Sequence, residues 1–429
     1  MEKIEIKNFL GIKDITVEVK QINIFIGPQA SGKSVIAKLL YYFKDFLSEI
    51  IFAAAEEDNQ SDLDQKCQQK FLKFFPSSAW GNDSFQIRYS FHQQYIEIKR
   101  TNGARKKSVK VILKYSKAYQ DFFNALVKLR QDFPDKNTRE YLPFNLISKL
   151  NSKLSAKKTL LTLMSQLPGN QSNIGYFNQL YIPAGRSFFS NLKNSIFTFL
   201  SDNTTIDPFL IQFGTYYENS KKIAVEQINN EHGKLLPEIT FLTSKILCGE
   251  YLQINGDDYI VNDNRTINLA NSSSGQQETL PLSIILKNIA LEESEEGGNS
   301  IYIEEPEAHI FPTAQKSIVE LIATVYNAQK DRAQFFITTH SPYILTAFNN
   351  LLQAGILAVD ATEEKLKKIN KLVPESRLLN SDEVAVYSLE NGYCQSIMDQ
   401  ETGLIDASMI DEVSNELAVQ FDQLLELEE

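Results

Sequence analysis

The sequence predicts an α/β fold in which a mixed, largely parallel sheet is flanked by helices, joined by an antiparallel β lobe and interrupted by a hairpin and a helical arm. Three observations predict it. The apolar run Ile22-Asn23-Ile24-Phe25-Ile26 leads through a glycine-bounded turn into Val35, Leu39, Leu40, Phe43 and Phe46 at helical spacing, which is strand, loop and helix in succession. A helix from about Gln276, an apolar strand at Ser300–Ile303, a helix from about Thr313 and a strand at Gln334–Ile337 alternate as in a parallel sheet with crossover helices. Apolar positions at Ile4, Ile6 and Phe9 before Gly11, and at Ile15, Val17 and Val19 after it, mark further strands at the start of the chain.

With 429 residues, 43% of them apolar, the chain can bury a sizeable core, and its length suits two or three lobes or one sheet with a large insertion. Acidic residues outnumber basic ones by 54 to 43, and the net charge of -11 argues against an extended basic coat while leaving room for a local basic patch. No apolar run nears the roughly 18 residues of a membrane span. Met1-Glu2-Lys3-Ile4-Glu5 alternates charges where a signal peptide would be apolar, so a cytoplasmic protein with no membrane contact is expected. Cys67, Cys248 and Cys394 are odd in number and far apart, and neither a disulfide framework nor a zinc site is indicated.

From Ala53 to Gln69 the sequence turns polar and acidic and reads as a linker. Beyond it Phe85, Ile87, Tyr89 and Phe91 alternate, and two strand-like runs flank Asn102-Gly103, a pair that accepts the positive φ of a tight hairpin turn. Lys99, Arg100, Arg105, Lys106, Lys107 and Lys110 gather about its tip, as a nucleic-acid contact or as a solvated end. A Lys-rich helical pattern from about Ala118 to Leu167, broken by Pro134 and Pro143, predicts an arm of two or three helices. Leu180 to Arg186 reads as a strand re-entering the main sheet. Strands between Leu247 and Ile260 turn at Asn255-Gly256-Asp257, and Val384–Tyr387 with Tyr393–Ile397 forms a second hairpin about Asn391-Gly392. The last helix, from about Ser408, carries Asp411, Glu412, Glu416, Asp422, Glu426, Glu428 and Glu429. It is either a solvated amphipathic helix or a dock for a basic partner.

Four motifs carry chemistry. Gly27-Pro28-Gln29-Ala30-Ser31-Gly32-Lys33-Ser34 matches the phosphate-binding loop and sits between a buried strand and a helix N-terminus, where backbone N–H groups and the helix dipole face an anion. Lys33 is placed to reach β- and γ-phosphates and the Ser34 hydroxyl to ligate Mg2+. Ser300-Ile301-Tyr302-Ile303-Glu304-Glu305 is an apolar strand ending in two carboxylates. Glu304 is expected to support the metal and Glu305 to act as general base toward water; the bland alternative is a solvated strand end. Asn271-Ser272-Ser273-Ser274-Gly275-Gln276-Gln277-Glu278 opens a helix, either as a second anion site or as a serine N-cap with a capping-box glutamate. Phe335-Phe336-Ile337-Thr338-Thr339-His340-Ser341-Pro342 puts His340 at a strand end, within reach of a γ-phosphate or the attacking water if it is not structural.

In this order the phosphate loop, the Ser-Ser-Ser-Gly-Gln-Gln signature, the Ile-Glu-Glu-Pro-Glu-Ala-His strand end and the Thr-Thr-His-Ser-Pro switch resemble the ATP-binding-cassette (ABC) class of ATPases. More closely they resemble the cytosolic RecF-like and overcoming-lysogenization-defect-like AAA-family branch, which includes prokaryotic anti-phage ATPases. The resemblance covers about Met1–Leu40 and Leu247–Leu345. It implies an ABC-type head divided into residues 1–52, with the phosphate loop, and 176–380, with signature, carboxylate pair and switch histidine. Residues 53–175 would be the insertion and residues 381–429 a C-terminal hairpin and acidic helix. It also implies that two copies sandwich ATP and Mg2+, with Ser273, Ser274, Gly275 and Gln276 of one copy meeting the ATP held by Lys33 of the other. Glu307, Ala308 and His309 would cross that interface, Gln179 would be a glutamine-loop metal ligand, and Arg186 would contact phosphate or brace the lobe. Glu304 stands where the wider class has Asp, and Phe311 where relatives often have His. The function so implied is a homodimeric or larger ATP-driven switch controlling a separately encoded effector, such as a nuclease or toxin, in antiviral defence. The alternative is an SMC/RecF-like DNA-repair ATPase that binds nucleic acid directly.

Overall fold

A computed structural model describes residues 2–81, 84–100, 111–131, 177–189, 207–221, 235–292, 298–406 and 412–425. β1 (Glu2–Phe9) and β2 (Ile12–Val19) form an antiparallel hairpin with Gly11 at φ 85° in its turn, and β3 (Ile22–Ile26) follows, buried throughout. After the loop come α1 (Lys33–Lys44), α2 (Phe46–Ala55) and α3 (Gln60–Phe74). The stretch Ala53–Gln69 is therefore no linker: it closes α2 and forms most of α3. Asn59 and Asp62 cap α3 reciprocally, and its buried residues, Leu63, Cys67 and Phe71, recur every fourth position. So narrow an apolar stripe leaves the rest of the helix polar, which gives it the composition of a linker.

β4 (Phe85–Phe91), β5 (Gln94–Arg100), β6 (Val111–Tyr115) and α4 (Lys117–Gln131) come next. β4 pairs with β1, so the expected hairpin extends the N-terminal strands into one antiparallel sheet of order β2-β1-β4-β5-β6. The hairpin tip with Asn102-Gly103 and Arg105–Lys110, and the helical arm beyond Gln131, lie outside the described residues. Of the basic residues that are described, Lys99 pairs with Glu97 at 3.0 Å and Arg100 donates to the Gly81 carbonyl at 2.8 Å.

β7 (Asn178–Ile182) returns to the main sheet as expected. It is followed by α5 (Pro208–Ser220), α6 (Leu236–Leu247) and a small antiparallel sheet of β8 (Glu250–Ile254), β9 (Asp257–Asn262) and β10 (Arg265–Asn268). Then come α7 (Ser274–Ala290), β11 (Asn299–Glu304), α8 (Pro312–Ala328), β12 (Ala333–Thr339), α9 (Pro342–Val359), α10 (Glu363–Leu372), β13 (Val384–Glu390), β14 (Tyr393–Ser396) and α11 (Glu412–Leu425). The main sheet runs β14-β13-β3-β12-β11-β7, parallel except for β14. The C-terminal hairpin thus contributes a strand beside β3. In α11, Val419, Phe421, Leu424 and Leu425 are exposed.

Strand alternation sorts the core into two chemistries. Phe25, Tyr181, Tyr302 and Phe336 point to the face covered by α1, where Tyr302 stacks on Phe336 at 4.6 Å and Tyr41 meets Tyr302 edge-on at 5.6 Å. Ile24, Ile182, Ile301, Ile303 and Ile337 point to the other face, among the apolar sides of α6 to α9. Each such side chain stabilises the fold by about 1.5–3 kcal/mol when fully buried. Among the described residues one helix, α9, is long and apolar enough to cross a membrane by length and composition, and 39% of it is buried inside the fold. Because the central strands are parallel, their C-terminal ends meet at one edge of the sheet, where ligands of open α/β folds bind.

Candidate active site

At that edge β3 opens into the loop Gly27–Gly32. Gly27 has φ 155°, and a Cβ there would run into the Leu389 carbonyl oxygen on the neighbouring β13, so only glycine fits. Ala30 (φ 62°) and Gly32 (φ 102°) complete a left-handed turn that delivers the chain into α1. No side chain caps α1 and its first turn holds no acid, so the N–H groups of that turn are available to an anion. Lys33 Nζ lies back on the loop, donating to the Gly27 and Pro28 carbonyls at 2.8 Å each, and stands 3.3 Å from His340 Nδ1. Burial pulls the Lys33 ammonium below the usual lysine range, opposed by the charges of Glu305 and Glu307.

His340, just past β12, reaches the same loop, with Nδ1 3.0 Å from the Gly27 carbonyl and Nε2 3.1 Å from Glu305 Oε1. An ionised carboxylate only accepts, so the proton in that contact sits on Nε2; Nδ1 lies between a donor, Lys33 Nζ, and an acceptor, the Gly27 carbonyl, and can hydrogen-bond to only one of them at a time. Glu305 leaves β11 at φ 43°, its N–H donating to the Thr338 carbonyl at 2.9 Å. This kink turns Glu305 toward the histidine while the preceding Glu304 stays buried. Tyr181 donates to Glu304 Oε1 at 2.7 Å, and the Ala184 N–H to Oε2 at 3.3 Å. Lys33, Glu305 and His340 therefore form one contiguous chain.

Gln179 belongs elsewhere, which corrects the expectation of a glutamine-loop ligand. It pairs with Ser300 near the start of β11, four residues before Glu304, or about 13 Å along a strand. Its amide donates to the Phe177 carbonyl at 2.6 Å and accepts from Tyr302 at 2.8 Å. Tyr181, two residues on, is what meets Glu304.

Ser273 caps α7 reciprocally with Gln276, not with Glu278, and Gln276 also donates to the Leu247 carbonyl at 2.7 Å. The Gln276 side chain is thus spent within its own chain. Ser273 and Ser274 are exposed, whereas Gly275 is buried with the His309 carbonyl 2.6 Å from where a Cβ would lie. No hydrogen bond among the described residues joins this helix start to Gly27–Ser34.

Sequence reasoning undervalued three residues. Arg186, which is fully buried, braces the lobe: its guanidinium donates to the carbonyls of Pro183, Glu278, Glu304 and Glu305 at 2.7–3.0 Å. Glu278 accepts from the Arg186 and Ser187 N–H groups at 2.9 and 3.1 Å. Glu307, expected at an interface, accepts from the His340 N–H at 2.7 Å and the Thr339 hydroxyl at 2.8 Å.

The donor set fits a magnesium nucleotide. A hard cation that keeps phosphate and water ligands needs few protein oxygens, and the exposed Ser34 hydroxyl and the Glu304 carboxylate supply that type. Among the described residues no cluster of three or more His, Cys, Asp or Glu side chains forms a self-sufficient metal site.

A phosphate loop between a parallel strand and a helix, with acids at the end of the next strand but one in the same sheet, defines a P-loop ATPase domain. The family model of the AAA ATPase domain matches residues 1–345, and the chain belongs to that family. No curated protein matches the sequence. Similar solved structures include an SMC head bound to the C-terminal winged-helix domain of ScpA, at 11% identity and TM-score 0.41, covering 92% of this chain and 96% of that one. The SMC head domain from Thermotoga maritima is similar at 9% identity and TM-score 0.37, covering 92% and 97%. The recombination mediator RecF is similar at 13% identity and TM-score 0.29, covering 92% and 97%.

Proposed function

We propose that the protein hydrolyses ATP in a Mg2+-dependent, ABC-class manner, with two copies closing on the nucleotide and the closure governing a separately encoded effector in anti-phage defence. The observation that carries this reading is the chain Lys33, His340, Glu305 at the uncapped N-terminus of α1. Lys33 exchanges the loop carbonyls for the β- and γ-phosphates, and the N–H groups of Gly27–Ser34 hold the phosphate oxygens. Magnesium, held by Ser34 and Glu304, supplies charge neutralisation at those oxygens when bound. Glu305 accepts a proton from the water that attacks the γ-phosphorus, and His340 orients the carboxylate through Nε2. Ser273, Ser274 and Gly275 of a second copy complete the site: both serines are exposed at the start of α7, the Ser274 hydroxyl faces solvent for the γ-phosphate, and the Ser273 hydroxyl reaches it by giving up its cap with Gln276. Gln276, committed to its own cap, positions that turn and does not touch nucleotide.

Glu305→Gln tests the assignment. It should bind ATP while its turnover falls by roughly 100-fold or more, and it should accumulate closed assemblies. Turnover at the wild-type rate would defeat the reading.

A further inference from the structure

We propose that Glu307 is a positioning residue for this hydrolysis, holding the His340 backbone so that its ring stays between Lys33 and Glu305. The inference rests on the reading of Glu305 and His340 given above. Glu305 turns out of β11 at φ 43°, and two residues later the chain brings Glu307 back against the end of β12. Its Oε1 takes both the His340 N–H and the Thr339 hydroxyl, and the Thr339 hydroxyl oxygen in turn accepts from the Ser341 N–H at 3.0 Å. One carboxylate oxygen thereby fixes three consecutive residues at the strand-to-helix turn. The segment carrying the general base and the segment carrying the histidine become one unit.

The other oxygen, Oε2, is buried and has no hydrogen-bond partner among the described residues. A buried carboxylate oxygen without a partner costs stability. A side chain chosen for stability alone would not leave it so, and such groups cluster where function requires them. An acid two positions after the base thus holds the middle of the Lys33–His340–Glu305 chain, through the His340 backbone, without lying in it.

The test compares Glu307→Ala, Glu307→Gln, His340→Ala and the Glu307→Ala/His340→Ala double variant in the full chain, by steady-state ATP turnover and by equilibrium binding of a fluorescent ATP analogue. Glu307→Ala should lower kcat by about 10- to 100-fold with little change in analogue affinity. Glu307→Gln keeps an acceptor oxygen and should restore most of the rate. The double variant should be no slower than His340→Ala, because both act through one group. Should the alanine variant fail to fold, Glu307→Asp, which withdraws the oxygen by one methylene, should show the same kcat loss in milder form. Wild-type kcat in the alanine or aspartate variant, losses that multiply in the double variant, or a glutamine variant as slow as alanine would overturn the inference. If His340→Ala and Glu305→Gln themselves turn over normally, the underlying assignment of the site fails instead.

Discussion

Arg186 Nε lies 3.4 Å from Glu278 Oε2, and both side chains are closed off from water. The same guanidinium donates to the carbonyls of Glu304 and Glu305, so a buried ion pair underpins the strand end that carries both acids. Removing one partner strands the other charge in a medium that cannot solvate it. Arg186→Met or Glu278→Ala should each cost about 3–5 kcal/mol in denaturant unfolding and should lower turnover as the strand end loses its brace. A change below about 0.5 kcal/mol would place the pair among surface-like sites.

Gly275→Ala sets helix propensity against packing. In an open helix position alanine would gain up to about 1 kcal/mol over glycine. Here the added methyl meets the His309 carbonyl at 2.6 Å and Ile310 Cγ2 at 3.0 Å, in a loop where His309 already holds φ 61°. Overpacking should win, with a loss of about 1–3 kcal/mol, read as a lower Tm. A raised Tm would show that the loop yields.

Lys33 sets a pH dependence in the nucleotide-free protein. Its folded-state value lies below the ordinary 10.5, chiefly through burial, so between the two values the unfolded chain holds the extra proton and stability rises with pH. The cost of burying the charge is present in full below the folded-state value and fades as pH climbs through it toward 10.5. Lys33→Met should therefore melt higher than the wild type at neutral pH, with the gap narrowing as pH rises, and should lose the stabilisation that ATP confers. A gap that widens with pH would reverse the assigned sign.

The parts of the site legible in the sequence are those fixed by local punctuation. The loop announces itself by glycines between an apolar run and a helical pattern, and Glu304, Glu305 and His340 each close or follow a strand whose apolar run is unmistakable. Strand register is a long-range property, so nothing near Gln179 reveals that it pairs with Ser300 and that Tyr181 meets Glu304 instead. The Arg186–Glu278 and Glu307–His340 contacts join segments far apart in the chain, and an acid in a loop carries no mark of the backbone it will hold. In α3 the local signal was present, in the Asn59–Asp62 capping box, but three buried residues in a polar helix were too few to outweigh composition.

The central claim, a nucleotide shared between two copies, is tested most directly by sedimentation of Glu305→Gln and of the double variant Glu305→Gln/Ser274→Arg, each with ATP and Mg2+. The account expects Glu305→Gln to sediment as an ATP-dependent dimer or larger assembly. The double variant should bind ATP equally well and remain monomeric, because an arginine at the exposed start of α7 blocks only the partner's site. ATP-dependent assembly undiminished by Ser274→Arg would contradict it.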